Sequence, residues 1–333
     1  MNDFLRLLDR PLAAVFLLVA MPYSAHSALI VYEGFDMGNT AGSLSGKAGA
    51  TSFGFDAAAW GNFGTSGGGS ANYETTGLTF GSGSTTLVAI GGNARLNSSG
   101  SNWTQISRGL NATVTGTVWG SFLTNRLVNS GSENDFLEVL VNQSSSGHDN
   151  NAEFVIIADE YQSALGGVRG KNNPIWPSYN SGTAINDGET YLVLFKATNL
   201  GGTSGSAELK NWILSSSQFD VLKLGGLTEI ELDAAALGSA SNQVLQRGSI
   251  SYTPGGAYPR LTAADVLMLQ LGQGIHAQYD ELRLSNAVHG LAGGGLDEVT
   301  PTSIPEPATL VLLVVGFAFF LALKEKNRKS GGL

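Results

Sequence analysis

The sequence predicts an all-β protein, a β-sandwich or jelly roll, and three observations carry that expectation. Short alternating or continuous apolar runs recur along residues 28–290. Glycine is very common, 45 of 333 residues, and stands with Ser, Thr and Asn between those runs. No segment sustains a long amphipathic helical period. The runs that read as strands are Leu87–Ile90, Thr113–Thr124, Asp135–Asn142, Ala152–Ala158, Thr190–Thr198, Ala207–Leu214, Leu227–Ala234, Gly248–Tyr252, Ala264–Leu271 and Gln278–Ser285. Many short strands joined by glycine-rich turns fold as two packed sheets.

Composition narrows the function. There is no cysteine, so neither a disulfide framework nor a thiolate zinc site can stabilise the chain, and a hydrophobic core must do so. Residues 28–304 carry 23 acidic and 12 basic side chains, a net charge of −11. A body this acidic repels phosphate backbones, so no nucleic-acid partner is expected.

The N-terminus reads as an export signal, residues 1–27. Arg6 and Arg10 precede an apolar run, Leu12 to Ala20, and Asp3 and Asp9 dilute the basic region without abolishing it. Met21-Pro22 breaks the helix, and Ala25-His26-Ser27 places small residues for cleavage after Ser27. The run is too short to cross a bilayer, which separates a signal peptide from an anchor.

At the other end, Ser303-Ile304-Pro305-Glu306-Pro307 precedes Ala308 to Leu323, sixteen residues without a charge, and then Lys324-Glu325-Lys326-Asn327-Arg328-Lys329. As a helix the apolar stretch spans about 24 Å, and the Lys324 stem can extend its reach. The basic cluster stays cytoplasmic, so the body lies outside. From the residues alone this is a single-pass tail with an exported body. The order Pro-Glu-Pro, apolar helix, basic terminus resembles the PEP-CTERM sorting signal over residues 303–329. That resemblance implies processing by an exosortase near Pro305, Glu306 and Pro307. The body then passes from a single-pass inner-membrane intermediate to the cell surface or the extracellular space, in bacteria that make extracellular polysaccharide. Residues 291–302 read as a linker.

Two stretches carry a second resemblance. Leu29-Ile30-Val31-Tyr32-Glu33-Gly34-Phe35-Asp36, followed by Ala41-Gly42-Ser43-Leu44-Ser45-Gly46, is similar to the opening of exported LamG-like, concanavalin A-like jelly rolls. Tyr279-Asp280-Glu281-Leu282-Arg283-Leu284-Ser285 looks like their final strand. The resemblance implies that first and last strands pair and that residues 28–290 form one domain; it implies no activity. By strand alternation Asp280 shares a face with Leu282 and Leu284, so it points to the core and needs either loop N–H donors or a cation such as calcium. Glu281 and Arg283 share the other face and read as a solvated ion pair.

Few residues suggest chemistry. In Glu229-Ile230-Glu231-Leu232-Asp233 three carboxylates alternate along an expected strand. Laminarinase-like glycoside hydrolases carry Glu-x-Asp-x-Glu on a strand and use the outer two as nucleophile and acid. This chain departs at Glu231 and Asp233, and no aromatic cluster flanks the stretch. These acids therefore read as a solvent-facing strand, and the protein as a non-enzyme, with a glycan-active enzyme or a purely structural surface component as the alternatives. His148, His276 and His289 stand without zinc spacing, and no Gly-x-Ser-x-Gly elbow or P-loop occurs. His148-Asp149-Asn150-Asn151 and Asp159-Glu160 read as solvated turns. Trp176 and Tyr179, in the loop Asn172–Tyr179, are candidates for stacking on extracellular polysaccharide. No cofactor is expected, calcium being the one open candidate.

Replacing Pro305-Glu306-Pro307 by alanines is expected to leave export intact and to block release. Immunoblots of membrane and medium fractions, in a host with an exosortase, check this.

Overall fold

The computed structural model describes residues 29–50, 52–65, 67–82, 86–89, 91–100, 102–128, 136–142, 154–160, 164–170, 185–201, 206–225, 229, 232, 244–251 and 264–286. The chain divides into two units, Met1–Thr300 and Pro301–Leu333. The second unit lies outside the described residues, and so do the signal segment, the linker, Trp176, Tyr179 and Pro305-Glu306-Pro307. Among the described residues no helix is long and apolar enough to cross a membrane.

The strands are β1 (Leu29–Glu33), β2 (Gly42–Ser43), β3 (Gly61–Thr65), β4 (Ser70–Glu74), β5 (Thr79–Phe80), β6 (Leu87–Val88), β7 (Asn93–Asn97), β8 (Thr104–Val114), β9 (Gly116–Val128), β10 (Phe136–Asn142), β11 (Phe154–Glu160), β12 (Ala164–Gly170), β13 (Thr190–Leu200), β14 (Ser206–Leu214), β15 (Val244–Ser251), β16 (Ala264–Leu271) and β17 (His276–Asn286). They form an antiparallel sandwich. A nine-stranded sheet runs β15-β14-β13-β9-β17-β7-β4-β2 with β1 also on β17, and a six-stranded sheet runs β12-β11-β10-β16-β8-β3. The first and last strands pair as expected, Val31 opposite Leu284 and Glu33 opposite Leu282.

The main core lies between the sheets. Val193, Phe195, Phe122, Leu282 and Leu284 come from one sheet, and Ile106, Leu137, Val139, Leu267 and Leu269 from the other. The nine-stranded sheet buries part of its other face as well, where Leu192, Leu194, Trp119, Leu123, Trp212 and Leu214 pack against Phe80 and Phe219. This explains why β13 reads as a continuous apolar run, Tyr191 to Phe195, rather than as alternation: both its faces are covered.

Four expectations need correction. The run Thr113–Thr124 is not one strand; it crosses the tight connection at Thr115 between β8 and β9. Leu227–Ala234 is not a strand where it is described, since Glu229 and Leu232 are helical. A helix that the sequence reading omitted spans Ser216–Gly225. It begins at a capping box, with the Ser215 N–H donating to Gln218 Oε1 at 2.8 Å and the Gln218 N–H to Ser215 Oγ at 3.4 Å. Asp159 and Glu160 end β11 rather than forming a free turn.

One carboxylate ties the two sheets. Glu33, at the end of β1, has no exposed surface. Its Oε1 accepts from the Phe35 N–H at 2.9 Å and from Ser52 Oγ at 2.7 Å. Its Oε2 accepts from Trp60 Nε1 at 3.0 Å and from the Arg108 guanidinium of β8 at 2.7 Å. Arg108 also donates through Nε to the Ala58 carbonyl at 3.0 Å and lies 4.4 Å over the Phe55 ring. Removing one partner of a buried pair leaves the other charge uncompensated. Glu33→Ala is therefore expected to destabilise the fold by about 3–5 kcal/mol, and Glu33→Gln by less, since it keeps the shape and one acceptor. Urea titration of the two variants checks the order.

Candidate functional site

Two polar constellations emerge, one that holds the fold and one that faces away from the core. The first centres on Asp280. Its Oδ2 accepts from the Leu78 N–H at 2.7 Å and its Oδ1 from the Glu281 N–H at 2.8 Å, with the side chain fully buried. Of the two roles left open for Asp280, the amide-binding one is what the geometry shows. Among the described residues, no three His, Asp or Glu gather as a metal site requires.

The alternation expected for this strand does not hold. Glu281 takes φ of +51°, and the pairing of β17 with β9 slips between Asp280 and Arg283. This is a bulge that inserts one extra residue and turns the following side chains over. Glu281 and Arg283 pair at 2.7 Å, but they are 5% and 3% exposed rather than solvated. Tyr32 closes the cluster, donating its hydroxyl to Glu281 Oε1 at 3.1 Å, while the Arg283 guanidinium lies 5.2 Å over its ring. Burial, and then the Glu281 charge, push the Tyr32 hydroxyl well above its ordinary range. Burial and the nearby Glu281 likewise push Asp280 well above the ordinary carboxylate range, against the two amide hydrogen bonds.

The second constellation lies on the six-stranded sheet. On β8, Ile106 and Leu110 enter the core and Arg108 reaches Glu33. Gln105, Ser107 and Gly109 therefore take the opposite face. On β16, Leu267, Leu269 and Leu271 enter the core, which puts Val266, Met268 and Gln270 on that same opposite face. The registers align these residues. Gln270 stands opposite Gln105 and, on its other side, Glu138; Met268 stands opposite Ser107 and Leu140.

Gln105 is 8% exposed, Ser107 1% and Gln270 0%. Among the described residues, Gln105 Oε1, Ser107 Oγ and both amide atoms of Gln270 have no hydrogen-bond partner. A buried polar atom left unpaired costs about 1–3 kcal/mol, and native proteins hold few of them.

An aromatic ring flanks the row. Gly64 of β3 stands opposite Gln105. A Cβ there would lie 2.9 Å from the Trp103 ring and 3.2 Å from Gln105 Cγ. Glycine is thus what lets the Trp103 indole, partly exposed, lie on the sheet beside the amides. Past the other end of the row, a Cβ on Gly109 would meet the Asp56 carboxylate at 2.2 Å, so this exposed acid covers the strand there.

The stretch weighed for catalysis lies elsewhere. Glu229 accepts from Lys196 of β13 at 2.7 Å, and Lys196 sits 5.2 Å over Trp119, which stacks on Trp212 with ring centroids 5.7 Å apart. This is the second core, on the side of the nine-stranded sheet turned away from the six-stranded one. Glu231 and Asp233 lie outside the described residues. The helical placement of Glu229 and Leu232 removes the alternation on which the likeness to a strand-borne catalytic pair depended. Sequence reasoning missed Trp103, Gln105, Ser107 and Gln270. The alternation of polar Gln105 and Ser107 with Ile106 and Arg108 was visible, but an amide on a strand is unremarked until the fold buries it.

No protein-family model matches the chain, and no curated protein matches it. Among solved structures it is similar to Cip1, a cellulose-induced protein. That match has TM-score 0.40 and 11% identity, and covers 69% of this chain and 94% of the other. It is also similar to the exoplasmic/lumenal domain of VIP36 in its Ca2+/Man3GlcNAc-bound form (TM-score 0.36, 10% identity, 70% and 90% covered). A third is the metal-free carbohydrate recognition domain of Emp46p (TM-score 0.35, 9% identity, 61% and 86% covered). Likeness at this level carries no functional weight.

Because Asp280 is held above the ordinary carboxylate range, the folded state binds its proton more tightly than the unfolded chain does. The stability it contributes is complete below the unfolded value of about 3.9 and is lost as pH rises through the raised folded value. Asp280→Asn removes that titration. The stability of the native chain relative to this variant is expected to rise as pH is lowered from 7 towards 4, measured by urea titration at each pH.

Proposed function

We propose that this chain is an exported surface or matrix protein whose LamG-like jelly-roll body binds polysaccharide without cleaving it. The observation that carries the reading is the partly exposed Trp103 ring on the six-stranded sheet, beside the polar row of Gln105, Ser107 and Gln270, which is itself closed to solvent. Amides and hydroxyls supply the donors and acceptors that sugar hydroxyls need, and an indole face supplies stacking surface. Pro305-Glu306-Pro307, with the apolar segment 308–323 and its basic end, supports an exosortase as processing partner and the cell surface or extracellular space as the destination. A non-catalytic role is supported by Glu229, which is held by Lys196 over an aromatic pair.

A glycan-array screen of residues 28–300, with calcium and with a chelator, tests the reading. Binding that survives chelation is expected. Binding that needs calcium would restore a cation to the account, and hydrolysis of a bound glycan would replace the binding role with an enzymatic one.

A further inference from the structure

One polar residue per strand forms a row across the outer face of the nine-stranded sheet. Tyr73, Ala94, Leu96, Ala277, Tyr279 and Phe122 enter the main core, so Asn72 of β4, Arg95 of β7, Gln278 of β17 and Asn125 of β9 take the opposite face. The registers set these side by side: Asn72 opposite Arg95, Arg95 opposite Gln278, and Gln278 opposite Asn125. Ser43 of β2 extends the row at one end, opposite Asn72, and Thr190 of β13 at the other, opposite Asn125. Unlike the strip on β8, this row is open: Ser43 is exposed and the other five are partly exposed. Neighbouring strands lie about 4.8 Å apart, so the row is about 24 Å long. That spacing is roughly the length of one pyranose ring along an extended polysaccharide, so successive strands can meet successive rings.

Side-chain bonds hold the middle of the row in fixed orientations. Glu74 Oε1 accepts from Arg95 Nη1 at 2.9 Å, and its Oε2 accepts from Gln278 Nε2 at 2.7 Å. Arg95 Nε donates to Asn97 Oδ1 at 3.2 Å. Asn97 Nδ2 and Asn72 Nδ2 both donate to Ser70 Oγ, at 3.0 and 3.1 Å. These bonds leave Asn72 Oδ1, Arg95 Nη2 and Gln278 Oε1 unspent, and none of the three is an enclosed atom. They read acceptor, donor, acceptor on three adjacent strands. Asn125 borders them, its Nδ2 spent on the Gly188 carbonyl at 3.4 Å and its Oδ1 enclosed. Groups already ordered lose little entropy on binding, which separates this network from a face of free surface side chains. The next row along the strands is covered. Leu78 and Phe80 pack with Leu123 and Leu192, and the Leu78 N–H donates to Asp280. The segment 78–80 is thus a ledge along one side of the open row.

The row's one cation, Arg95, is paired with Glu74 at 2.9 Å, and its other five residues are uncharged. Donors and acceptors without net charge match hydroxyls, each of which both donates and accepts. They give a carboxylate or sulfate no free counter-charge, in a body at −11 between residues 28 and 304. We infer that this row is a second polysaccharide-binding surface, on the sheet opposite the one that carries Trp103. A linear, uncharged, hydroxyl-rich chain crosses the strands beside the 78–80 ledge, its hydroxyls bonded to Asn72, Arg95 and Gln278. The inference goes beyond the reading above, since the two surfaces belong to different sheets.

The full-length protein and three variants are titrated by isothermal calorimetry with neutral laminarin, dextran and galactomannan and with acidic alginate. The native protein is expected to bind at least one neutral polymer, with alginate at least tenfold weaker. Trp103→Ala removes the ring on the other sheet and is expected to keep binding to that polymer. Adding Asn72→Ala and Gln278→Ala to it is expected to cut the affinity at least tenfold. Both added substitutions sit at partly exposed positions, so melting close to the temperature of Trp103→Ala is expected. Arg95→Gln in the native background reports on the row if the multiple variant fails to fold, and is expected to weaken binding as well. Loss of all binding in folded Trp103→Ala overturns this inference and leaves the binding reading standing, as does unchanged affinity in the folded row variants. Preference for alginate also overturns this inference alone. Failure of the native protein to bind any polymer overturns both.

Discussion

The sandwich depends on what happens to a negative charge placed between two sheets. Glu33 ends the first strand with no exposed surface, and a carboxylate there is tolerable only if every lone pair has a donor. The chain supplies four donors from four places in the sequence: the Phe35 N–H, the Ser52 hydroxyl, the Trp60 indole and the Arg108 guanidinium. Satisfying that group brings the segment 52–60 against β1 and fastens β1, in one sheet, to β8, in the other. Once Arg108 is turned inward, the alternation of β8 assigns Gln105, Ser107 and Gly109 to the opposite face. The candidate site is therefore placed by the same bond that joins the sheets.

The C-terminal strand handles charge differently. Asp280, Glu281 and Arg283 crowd three ionisable groups into four positions, all buried. A bulge at Glu281 lets Asp280 take backbone amides while Glu281 turns to Arg283 and Tyr32. One carboxylate is stabilised by amide dipoles, the other by a cation and a phenol, and neither is left to water. The strand pairs with β1 on one side and β9 on the other, so this polar cluster stitches the N-terminal segment to the middle of the larger sheet.

Much of the fold was legible because strand periodicity depends on local residue order. β16 was bounded to the residue, and β10, β11, β13, β14 and β17 were placed within a few positions. What escaped had identifiable causes. The short strands β2, β3 and β4 are rich in Gly, Ser and Asn and carry too few apolar residues to show a period. The helix Ser216–Gly225 was announced only by Ser215 and Gln218, a capping box that is easy to pass over among serines. Leu227–Ala234 alternates acidic and apolar residues as a strand would, yet it supplies Leu232 to the second core from a helical turn. Burying one leucine against Trp119 and Trp212 outweighs a weak local preference.

By itself the sequence determined what depends on composition and local order: an all-β body without cysteine, an acidic charge balance, and a first and a last strand that pair. Only the tertiary structure decided which polar residues matter. Glu281 and Arg283 looked like a solvated pair and are buried, because the bulge that turns them inward depends on pairing with a strand some 150 residues earlier. Gln105 and Gln270 looked ordinary and became the centre of the candidate site, because they lie far apart in the chain and only sheet pairing sets them side by side. Burial and the lack of a partner are properties of that assembled surface, and no local run of residues encodes them.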